Sequence, residues 1–550
     1  MGRETNIHAI RVLEGQIEGG QGNIIQLKRT RNSLLNISIC TPPEILGRIF
    51  AWSLVLQAYH PQAYRPPHSR DFGGLQRGSY NFLLVCHHWF EIASRTPELW
   101  SFWGNTLQDW EKRHHRSRAT PLDLVLDGDK SDPGVHFDEP LQDAVGSRVV
   151  QGTIRQVHLK SRDGGTLTSI ISSLTPKGEG SRNENIESIV LGGKGLTSVD
   201  VSNFFARSRL SRLSLLDLSG RIRISSWDHL ASRTTLLTTL SFNISTSPPS
   251  PTLAASRLFS ILAGNSNLQE LVLSGVALPD VVDGSAFKVP LHKLKILSLE
   301  GEFRRLFWLL SRFILPEVLD RMDLIGYSCT AEDVSQTLAP YMRDYFQRDT
   351  RFQDILEVTF YTIPGSISIS VTVEWDGTRE QDTPYAEFKV YPAADQFPPD
   401  VRERLFIDLF APIPREHVLC LDANTDVTLP EELFFMMPNI VMFYLAGVEL
   451  SEGFLLPNPD GPYAEMTLLP SLEYLSLRDV LPIGDDWSPL TTFLANQASD
   501  GKTISLAIIG DVPHIGSEVV KKIKDLVEDF VYEADPSVEE GDQTYTPPPF

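Results

Sequence analysis

Apolar residues recur at helical spacing in two stretches near the start of the chain. The first begins at Thr41, which stands three residues before Glu44 in the arrangement of a capping box. The second runs through residues 80–94, and a third helix begins in the same way as the first at Thr96. Residues 57–80 are rich in proline and glycine, which is typical of a long loop. The pattern therefore predicts three short helices in this part of the chain.

Residues 7–35 have a weaker helical pattern, a heptad of isoleucine and leucine. Four glycines between residues 15 and 22 interrupt it, and each glycine costs a helix about 1 kcal/mol relative to alanine. Two short helices with a flexible joint are therefore favoured over a coiled coil, which needs sustained heptads. Residues 1–37 are predicted to form a helical segment of their own.

Beyond residue 118 the dominant pattern is Leu-x-x-Leu-x-Leu. Copies recur at steps of 24 to 36 residues, and the strict ones end at Leu215, Leu218, Leu273, Leu299 and Leu477. Such steps are typical of an irregular leucine-rich repeat, in which every copy gives one strand to a parallel sheet and leaves the x residues accessible. Buried strands of an α/β sheet are the alternative, since they too are continuous apolar runs. The recurring spacing favours the repeat.

Three later segments depart from this pattern. Residues 364–391 alternate between polar and apolar in two arms around a Trp-Asp-Gly-Thr turn, which predicts an inserted antiparallel hairpin. Residues 517–532 have helical period and are predicted to form a terminal helix. Residues 533–550 are acidic and end in a proline run, so they are predicted to be a disordered tail.

Charge divides the chain at the point where the pattern changes. The 550 residues contain 49 Lys and Arg and 70 Asp and Glu, a net charge of −21. Residues 1–118 hold 14 bases and 9 acids, so they have a net charge of +5 and the remainder has −26. A chain this acidic is a poor general binder of nucleic acid or of anionic membrane. We expect neither as a partner, and we expect a protein partner with a basic surface.

The compartment is predicted from cysteine usage and from the start of the chain. Cys40, Cys86, Cys329 and Cys420 lie far apart and have no C-x-x-C spacing. No stretch approaches 18 consecutive apolar residues, and the first thirty residues have no apolar signal core. The cytoplasm or the nucleus is therefore the expected location.

Motifs that would support catalysis or metal binding are incomplete. The glycine-rich run 192–195 lacks the lysine and hydroxyl ending of a phosphate-binding loop. Residues 127–138 resemble a calcium loop but have Asp132 where that loop needs glycine. The adjacent pairs 87–88 and 114–115 of histidine point about 100° apart on a helix and cannot hold one metal together. The sequence predicts a protein that is not an enzyme and has no cofactor or metal; an α/β enzyme would need a deep pocket with convergent polar residues.

The predicted N-terminal helices resemble the F-box. The resemblance lies in Pro-Pro-Glu-Ile-Leu at 42–46, Leu-Leu-Val-Cys-His-His-Trp-Phe-Glu-Ile-Ala at 83–93 and Pro-Glu-Leu-Trp at 97–100, in that order. The continuation through residues 106–126 is similar to the large fungal F-box families. The resemblance implies a three-helix module that binds the Skp-family adaptor and, through it, a cullin–RING ubiquitin ligase. It places the adaptor contact at Pro43, Ile45, Leu46, Ile49, Phe50, Leu84, Val85, Cys86 and Trp89, with Phe50 and Trp89 as energetic anchors.

The predicted fold class is an α three-helix F-box module followed by an α/β leucine-rich-repeat solenoid with an inserted antiparallel hairpin. The F-box and its following helix take residues 38–118, and the repeats take residues 119–532. The expected function is substrate recognition for a Skp–cullin–F-box ubiquitin ligase, and the alternative is a leucine-rich-repeat scaffold without a ubiquitin-ligase role. The predicted substrate-binding residues are Gln269, Glu270, Lys295, Glu473 and Tyr474.

Overall fold

The chain divides into two compact units in the computed structural model. Unit 1 comprises Met1–Glu270 and Gly275–Ala277, and unit 2 comprises Leu271–Ser274 and Leu278–Phe550. The structure describes residues 12, 41–58, 87–103, 115–117, 120–127, 139–176, 183–193, 198–244, 255–275, 287–353, 356–363, 366–373, 384–393, 397–424, 431–447, 449–450, 468–482, 486–510 and 515–534. The heptad of residues 7–35 (apart from Val12) and the tail beyond Ala534 lie outside the described residues.

Between residues 41 and 103, the described part of unit 1 contains three helices, in the region where helical spacing predicts them. They are α1 (Pro43–Ala58), α2 (His87–Arg95) and α3 (Pro97–Trp100). Proline suits the first position of α1 and of α3, because the amide of that position has no partner inside a helix. Strand β1 (Phe102–Trp103) follows α3 and pairs in parallel with β2 (Leu122–Asp127). Only Ser101 separates α3 from β1, so the helices are connected directly to the sheet of unit 1.

The sheet of unit 1 is parallel, and its strands follow one another in chain order. After β2 its strands are β3 (Ile154–Ser161), β4 (Ser188–Gly193), β6 (Leu215–Gly220) and β8 (Thr239–Ile244), while β5 (Val199–Asp200) and β7 (Ile222–Arg223) form a separate parallel pair. Every strand of the sheet pairs in parallel with the next, so each return needs a crossover.

Helices occupy most of these crossovers in unit 1. They are α4 (Glu139–Val150), α5 (Gly164–Leu174), α6 (Ser202–Arg207), α7 (Asp228–Arg233) and α8 (Ala255–Gly264). Helix α5 shows why they begin where they do: the Asp163 carboxylate accepts from the amides of Gly165 and Thr166, at 3.0 Å each. Such a cap satisfies amides that have no partner inside the helix.

Unit 2 also contains mostly parallel strands, and β9 (Glu270–Ser274) falls at the division between the units. The longer strands are β11 (Ile296–Glu302), β13 (Arg321–Cys329), β14 (Leu356–Ile363), β15 (Ser366–Val373), β16 (Tyr385–Pro392), β17 (Val418–Asn424), β18 (Met442–Ala446), β20 (Tyr474–Arg478), β22 (Ser505–Gly510) and β23 (Phe530–Ala534). Two short parallel pairs accompany them, β10 (Val289–Pro290) with β12 (Phe313–Ile314) and β19 (Glu449–Leu450) with β21 (Leu481–Pro482).

An antiparallel meander interrupts the parallel order of unit 2. Strands β15 and β16 pair antiparallel, with Ser370 opposite Glu387, so the hairpin predicted from alternation is confirmed. Strand β14 adds a third antiparallel strand on the other side of β15. At its two edges the meander rejoins the parallel strands, because β16 pairs with β13 and β14 pairs with β17.

Helices of unit 2 pack on one face of its sheet through aromatic contacts. The ring centroids of Phe360 and Phe406 are 3.9 Å apart, and those of Phe434 and Phe443 are 5.7 Å apart. The partners from the strands, Phe360 and Phe443, are fully buried. The helices are α9 (Phe303–Leu310), α10 (Ala331–Asp333), α11 (Ala339–Arg348), α12 (Pro399–Phe410), α13 (Glu431–Met436), α14 (Ser488–Ser499) and α15 (Ser517–Lys524).

The predicted fold class, an F-box module followed by a leucine-rich-repeat solenoid, is wrong. The chain is mixed α/β and is built on a large, mostly parallel sheet, with the N-terminal helices joined to it rather than set apart as a helical module. The physical reason is that the recurring leucines are buried in strands. Leu273, Leu299 and Leu477 are completely buried strand residues, and a buried parallel strand needs the same continuous apolar run as a repeat does. The alternative of buried α/β strands is therefore the better interpretation of the pattern.

The predicted terminal helix over residues 517–532 is also only partly correct. Helix α15 ends at Lys524, and the chain then forms β23, which pairs in parallel with β22. Residues 533 and 534, which the sequence assigns to a disordered tail, are the end of that strand. Pairing with a neighbouring strand outweighs the helical period of Val527 and Phe530.

The acidic excess belongs to unit 2. Unit 1 contains 29 Lys and Arg and 24 Asp and Glu, a net charge of +5. Unit 2 contains 20 Lys and Arg and 46 Asp and Glu, a net charge of −26. The two values add to the −21 of the whole chain. Unit 2 is therefore the region to which a basic partner would be attracted.

Candidate functional site

Helix α1 presents two different apolar faces. Its start is fixed by the Pro42 carbonyl oxygen, which accepts from the amides of Ile45 at 2.9 Å and Leu46 at 3.0 Å. Residues four apart lie on the same side of a helix, so Ile45 pairs with Ile49 and Leu46 pairs with Phe50. The second pair is buried and the first is not.

The inward pair belongs to a small core that the three helices make among themselves. Leu46 and Phe50 pack with residues of α2 and α3, and the Phe50 ring lies 4.8 Å from the ring of the half-buried Trp89. The indole of Trp100 donates to the carbonyl oxygen of Ala93 at 2.8 Å and so ties α3 to α2. The other members of this core are Ile92, Ala93, Leu99 and Trp100.

The outward pair forms an exposed apolar surface, here called the α1 stripe and consisting of Ile45 and Ile49. These side chains are 50% and 52% exposed, and Phe90 on α2 is 44% exposed. Large apolar side chains clustered in this way on a short segment are a feature of protein-interaction sites. Burying the exposed half of one such isoleucine is worth about 1 kcal/mol.

The structure separates the predicted adaptor-contact residues into three groups. Pro43, Ile45 and Ile49 are exposed. Leu46, Phe50 and Trp89 belong to the core of the helices, where they determine which way the stripe faces. Leu84, Val85 and Cys86 lie outside the described residues. Sequence periodicity alone marks all these positions as apolar, and it does not tell which of them point outward.

A second candidate surface lies on the sheet of unit 2, opposite the face on which the helices pack. Successive residues of a strand point to opposite faces, so the neighbours of the buried Phe360, Phe388 and Phe443 point away from the helices. These neighbours include several tyrosines, and we call this surface the tyrosine face. It bears Tyr327, Tyr385, Tyr391, Tyr444 and Tyr474.

The tyrosines of this face pack in pairs and are linked to acidic groups. The rings of Tyr327 and Tyr391 are 5.0 Å apart, and those of Tyr444 and Tyr474 are 5.6 Å apart. The Tyr327 hydroxyl donates to Glu300, and both burial and that carboxylate raise the pKa of Tyr327. The Tyr327 phenol therefore stays neutral across the physiological pH range.

Charged groups alternate with the tyrosines on the same face. Arg321 pairs with Asp323 through a 2.8 Å contact from Nε to Oδ2, and Tyr385 donates to Glu387 at 3.1 Å. Asp323 lies directly opposite Glu387 in the pairing of β13 with β16. Burial raises the pKa of Asp323 to about 6, although Arg321 acts in the other direction.

The predicted substrate-binding residues lie at strand starts. Gln269, Lys295 and Glu473 are exposed and each directly precedes a strand residue, while Glu270 and Tyr474 are half-buried first residues of β9 and β20. Tyr474 belongs to the tyrosine face. The rest of that face is not among the predicted residues, although the alternation Tyr-x-Glu-x-Lys-x-Tyr over 385–391 indicates a polar strand face with two aromatic ends.

The cysteine thiols among the described residues are buried, and Cys420 lies on the same side of the sheet as the tyrosine face, opposite Glu357. Burial raises the pKa of the Cys329 and Cys420 thiols to about 12 in each case, so both are poor nucleophiles at neutral pH. Within the described ranges, three or more His, Cys, Asp or Glu side chains nowhere come together in a way that could hold a metal ion. None of the helices in the described part of the chain is long and apolar enough to cross a membrane.

Comparison with known proteins leaves the chain without an assigned family. No family model matches it, and no curated protein matches it.

Proposed function

We propose that this protein recruits substrate proteins to a Skp–cullin–F-box ubiquitin ligase and does no chemistry itself. The α1 stripe contacts the Skp-family adaptor, and unit 2 holds the protein to be modified. A recruiting subunit of this kind works by raising the effective concentration of a substrate lysine near the charged ubiquitin carrier.

The exposure of Ile45 and Ile49 is the observation that supports this proposal. Both face solvent on α1 although Leu46 and Phe50, one residue further along in each case, are buried. A helix that served only as part of a scaffold would gain by having polar residues on its outer face. The same isoleucines fall within the segment that resembles the F-box, whose expected role is adaptor binding.

Phe50 and Trp89 have a supporting role in this proposal. Because the two rings pack against each other inside the core of the helices, they hold α1 and α2 in place rather than contact the adaptor directly. Substitution of either is expected to weaken adaptor binding only as far as it loosens the helices.

The proposal is tested with the full chain carrying Ile45→Asp and Ile49→Asp together. Acidic side chains at the centre of an apolar contact would be desolvated without partners, so binding to a purified Skp-family adaptor should fall by at least about a hundredfold. Titration calorimetry measures the affinity. The matched control is Val150→Asp, an equally drastic change at a valine of α4 that is 67% exposed in the same unit.

Two results would contradict the proposal. One is full adaptor binding by the Ile45→Asp, Ile49→Asp chain. The other is no adaptor binding by the wild-type chain, which would favour an interaction scaffold without a ubiquitin-ligase role. Thermal melting of both variants separates these results from misfolding, because exposed positions change stability by only about 0.5 kcal/mol.

A further inference from the structure

The tyrosine face of unit 2 is the side of the sheet that the helices leave accessible. Helix contacts with the sheet are made to the opposite side: the Tyr341 hydroxyl meets the Met322 sulfur at 3.6 Å, and the Phe346 ring lies 6.1 Å from that of Phe388. Tyr327 and Tyr361, on the accessible side, are 36% and 37% exposed.

Aromatic side chains of this kind are well suited to binding another protein. A tyrosine offers a large, rigid contact area with a hydroxyl for hydrogen bonding, and it loses little conformational entropy when it is held. The pair Tyr444 and Tyr474 lies across the contact of β18 with β20, and the pair Tyr327 and Tyr391 lies across the contact of β13 with β16. The face therefore has aromatic anchors at two separate places.

The charges between these anchors are predominantly negative. The basic groups of this face are few. Arg321 pairs with Asp323, the Lys389 ammonium lies 5.3 Å from the ring centre of Tyr391, and the exposed Arg478 on β20 acts on Asp422. The carboxylates on this face outnumber its basic groups. They include Glu300, Glu357, Glu387 and Asp422.

A buried carboxylate oxygen of Asp323 is a second feature of this face that favours a cation. It is only 6% exposed, and its Oδ1 atom has no hydrogen-bond partner among the described residues, while Oδ2 takes the contact from Arg321. Glu387 stands opposite it and accepts from Tyr385 and Ser368, and Arg321 is the cation that acts on both carboxylates. A buried carboxylate oxygen without a partner is costly, and a cation that approaches this point of the face would relieve that cost.

We infer that the tyrosine face binds a lysine- or arginine-rich segment of the recruited protein, with its cations over the tyrosine rings and beside the carboxylates of Glu357, Glu387 and Asp422. The inference rests on the proposed function, in which unit 2 holds the substrate. Cations are attracted both to the faces of aromatic rings and to carboxylates. The net charge of −26 on unit 2 draws a basic segment toward it and repels nucleic acid and acidic peptides.

The test uses the full chain and a fluorescein-labelled synthetic peptide of alternating lysine and serine, with a glutamate–serine peptide as the comparison. Anisotropy titrations should show binding of the lysine peptide that weakens as salt rises, and no binding of the glutamate peptide. Glu357→Gln with Asp422→Asn should weaken lysine-peptide binding by about tenfold, since two neighbouring carboxylates lose their charge.

The matched control removes two negative charges from the same unit but from another surface. Asp344→Asn with Glu403→Gln lies on α11 and α12, where both side chains are exposed, and it should change the affinity less than about twofold. Tyr444→Ser with Tyr474→Ser keeps the charge and removes two rings, and it should also weaken binding. Equal affinities for both pairs of charge variants would overturn the inference and show general attraction to an acidic protein.

The two proposals fail in different ways. Loss of adaptor binding in the Ile45→Asp, Ile49→Asp chain leaves peptide binding intact, because those residues belong to unit 1. Conversely, the Glu357→Gln, Asp422→Asn chain should bind the adaptor normally. A wild-type chain that does not bind the lysine peptide at all would overturn the inference and leave the adaptor proposal standing.

Discussion

Both units contain mostly parallel strands, and in each unit the strands have one face with polar residues, but the two faces differ in how far those residues are exposed. In unit 1 that face includes small, enclosed groups such as Ser188 and Asp217, both under a tenth exposed. In unit 2 the equivalent positions also include enclosed groups, such as Asp323 and Ser476, but most hold tyrosines and long charged side chains that are half-buried. Enclosed polar groups must find partners within the protein, whereas half-buried ones can exchange water for a ligand. The enclosed groups of unit 1 therefore contribute to stability, whereas the half-buried groups of unit 2 are the ones that our proposal assigns to binding.

The strand ends differ in the same way. In unit 1 the strands β4 and β6 both end in glycine, and Gly193 and Gly220 stand opposite each other. In unit 2 the corresponding ends include Tyr327 and Tyr391, whose rings pack together. Glycine lets two backbones approach closely, and tyrosine instead creates a surface at the same place.

The largest expected effect comes from Gly220→Ala in unit 1. Gly220 has a φ of +74°, and a Cβ atom there would lie within about 2.1 Å of the Gly193 carbonyl oxygen. Left-handed strain costs about 1–2 kcal/mol, and the clash with a backbone atom should raise the total loss of unfolding free energy to about 3 kcal/mol or more. Urea denaturation measures it.

A second glycine gives the control for that clash. Gly501 also has a positive φ, +77°, but a Cβ atom there meets nothing within 4 Å. Gly501→Ala should therefore cost only the strain, about 1–2 kcal/mol. Equal losses for the two variants would show that the close approach of β4 and β6 has no energetic importance.

A smaller effect is expected at Asp323, where the pKa is raised from 3.8 to about 6. The folded chain then holds the proton more tightly than the unfolded chain, so this group destabilises the fold as the pH rises from about 4 to about 6. The charged groups around it are Arg321 on its own strand and Glu387 and Tyr385 on β16, while β11 presents the uncharged Ser298.

Asp323→Asn removes this dependence. The free energy of unfolding of the variant minus that of the wild type should increase by up to about 3 kcal/mol between pH 4 and pH 7. Denaturation at several pH values checks it. A difference that stays constant with pH would show that Asp323 titrates as an ordinary exposed carboxyl group does.

The smallest expected effect is the difference in stability cost between two serine-to-alanine substitutions, one on the polar face of each unit. Ser188 in unit 1 is buried, and its hydroxyl lies 2.8 Å from Nε2 of His158. Ser188→Ala should cost about 1–2 kcal/mol because a buried ring nitrogen loses that partner. Ser370→Ala on the half-buried face of unit 2 should stay within about 0.5 kcal/mol. Equal costs in thermal melting would remove the contrast between the two faces.

The sequence predicts local structure better than it predicts the architecture. Alternation identifies β15 and β16 because a strand with one polar face has period two whatever surrounds it. The leucine pattern fails as a guide to fold class, because Leu273 and Leu299 are buried strand residues and many parallel folds need leucine there. The end of α15 fails for a similar reason: the partner of β23 is β22, and only pairing in three dimensions reveals it.

The candidate surfaces could be predicted only in part. The positions of the apolar residues in α1 follow from spacing, but the exposure of Ile45 depends on the side from which α2 packs. The tyrosine face needs more still, since Tyr327 and Tyr391 are 64 positions apart in the sequence and meet only because β13 and β16 pair around the meander. Long-range pairing is the information that the pattern of single residues does not contain.

The meander also has a consequence for how the chain folds as it is synthesised. In unit 1 every long strand pairs with the one made just before it, so the sheet can grow while the chain leaves the ribosome. In unit 2, β13 cannot pair with β16 until β14 and β15, which lie between them in the chain, have also been synthesised. Contacts between distant segments form slowly, so completing the meander should be the late step for unit 2. Until β16 has been synthesised, the edge of β13 that it will cover can pair with another chain. Nascent unit 2 would therefore be the region most dependent on chaperones.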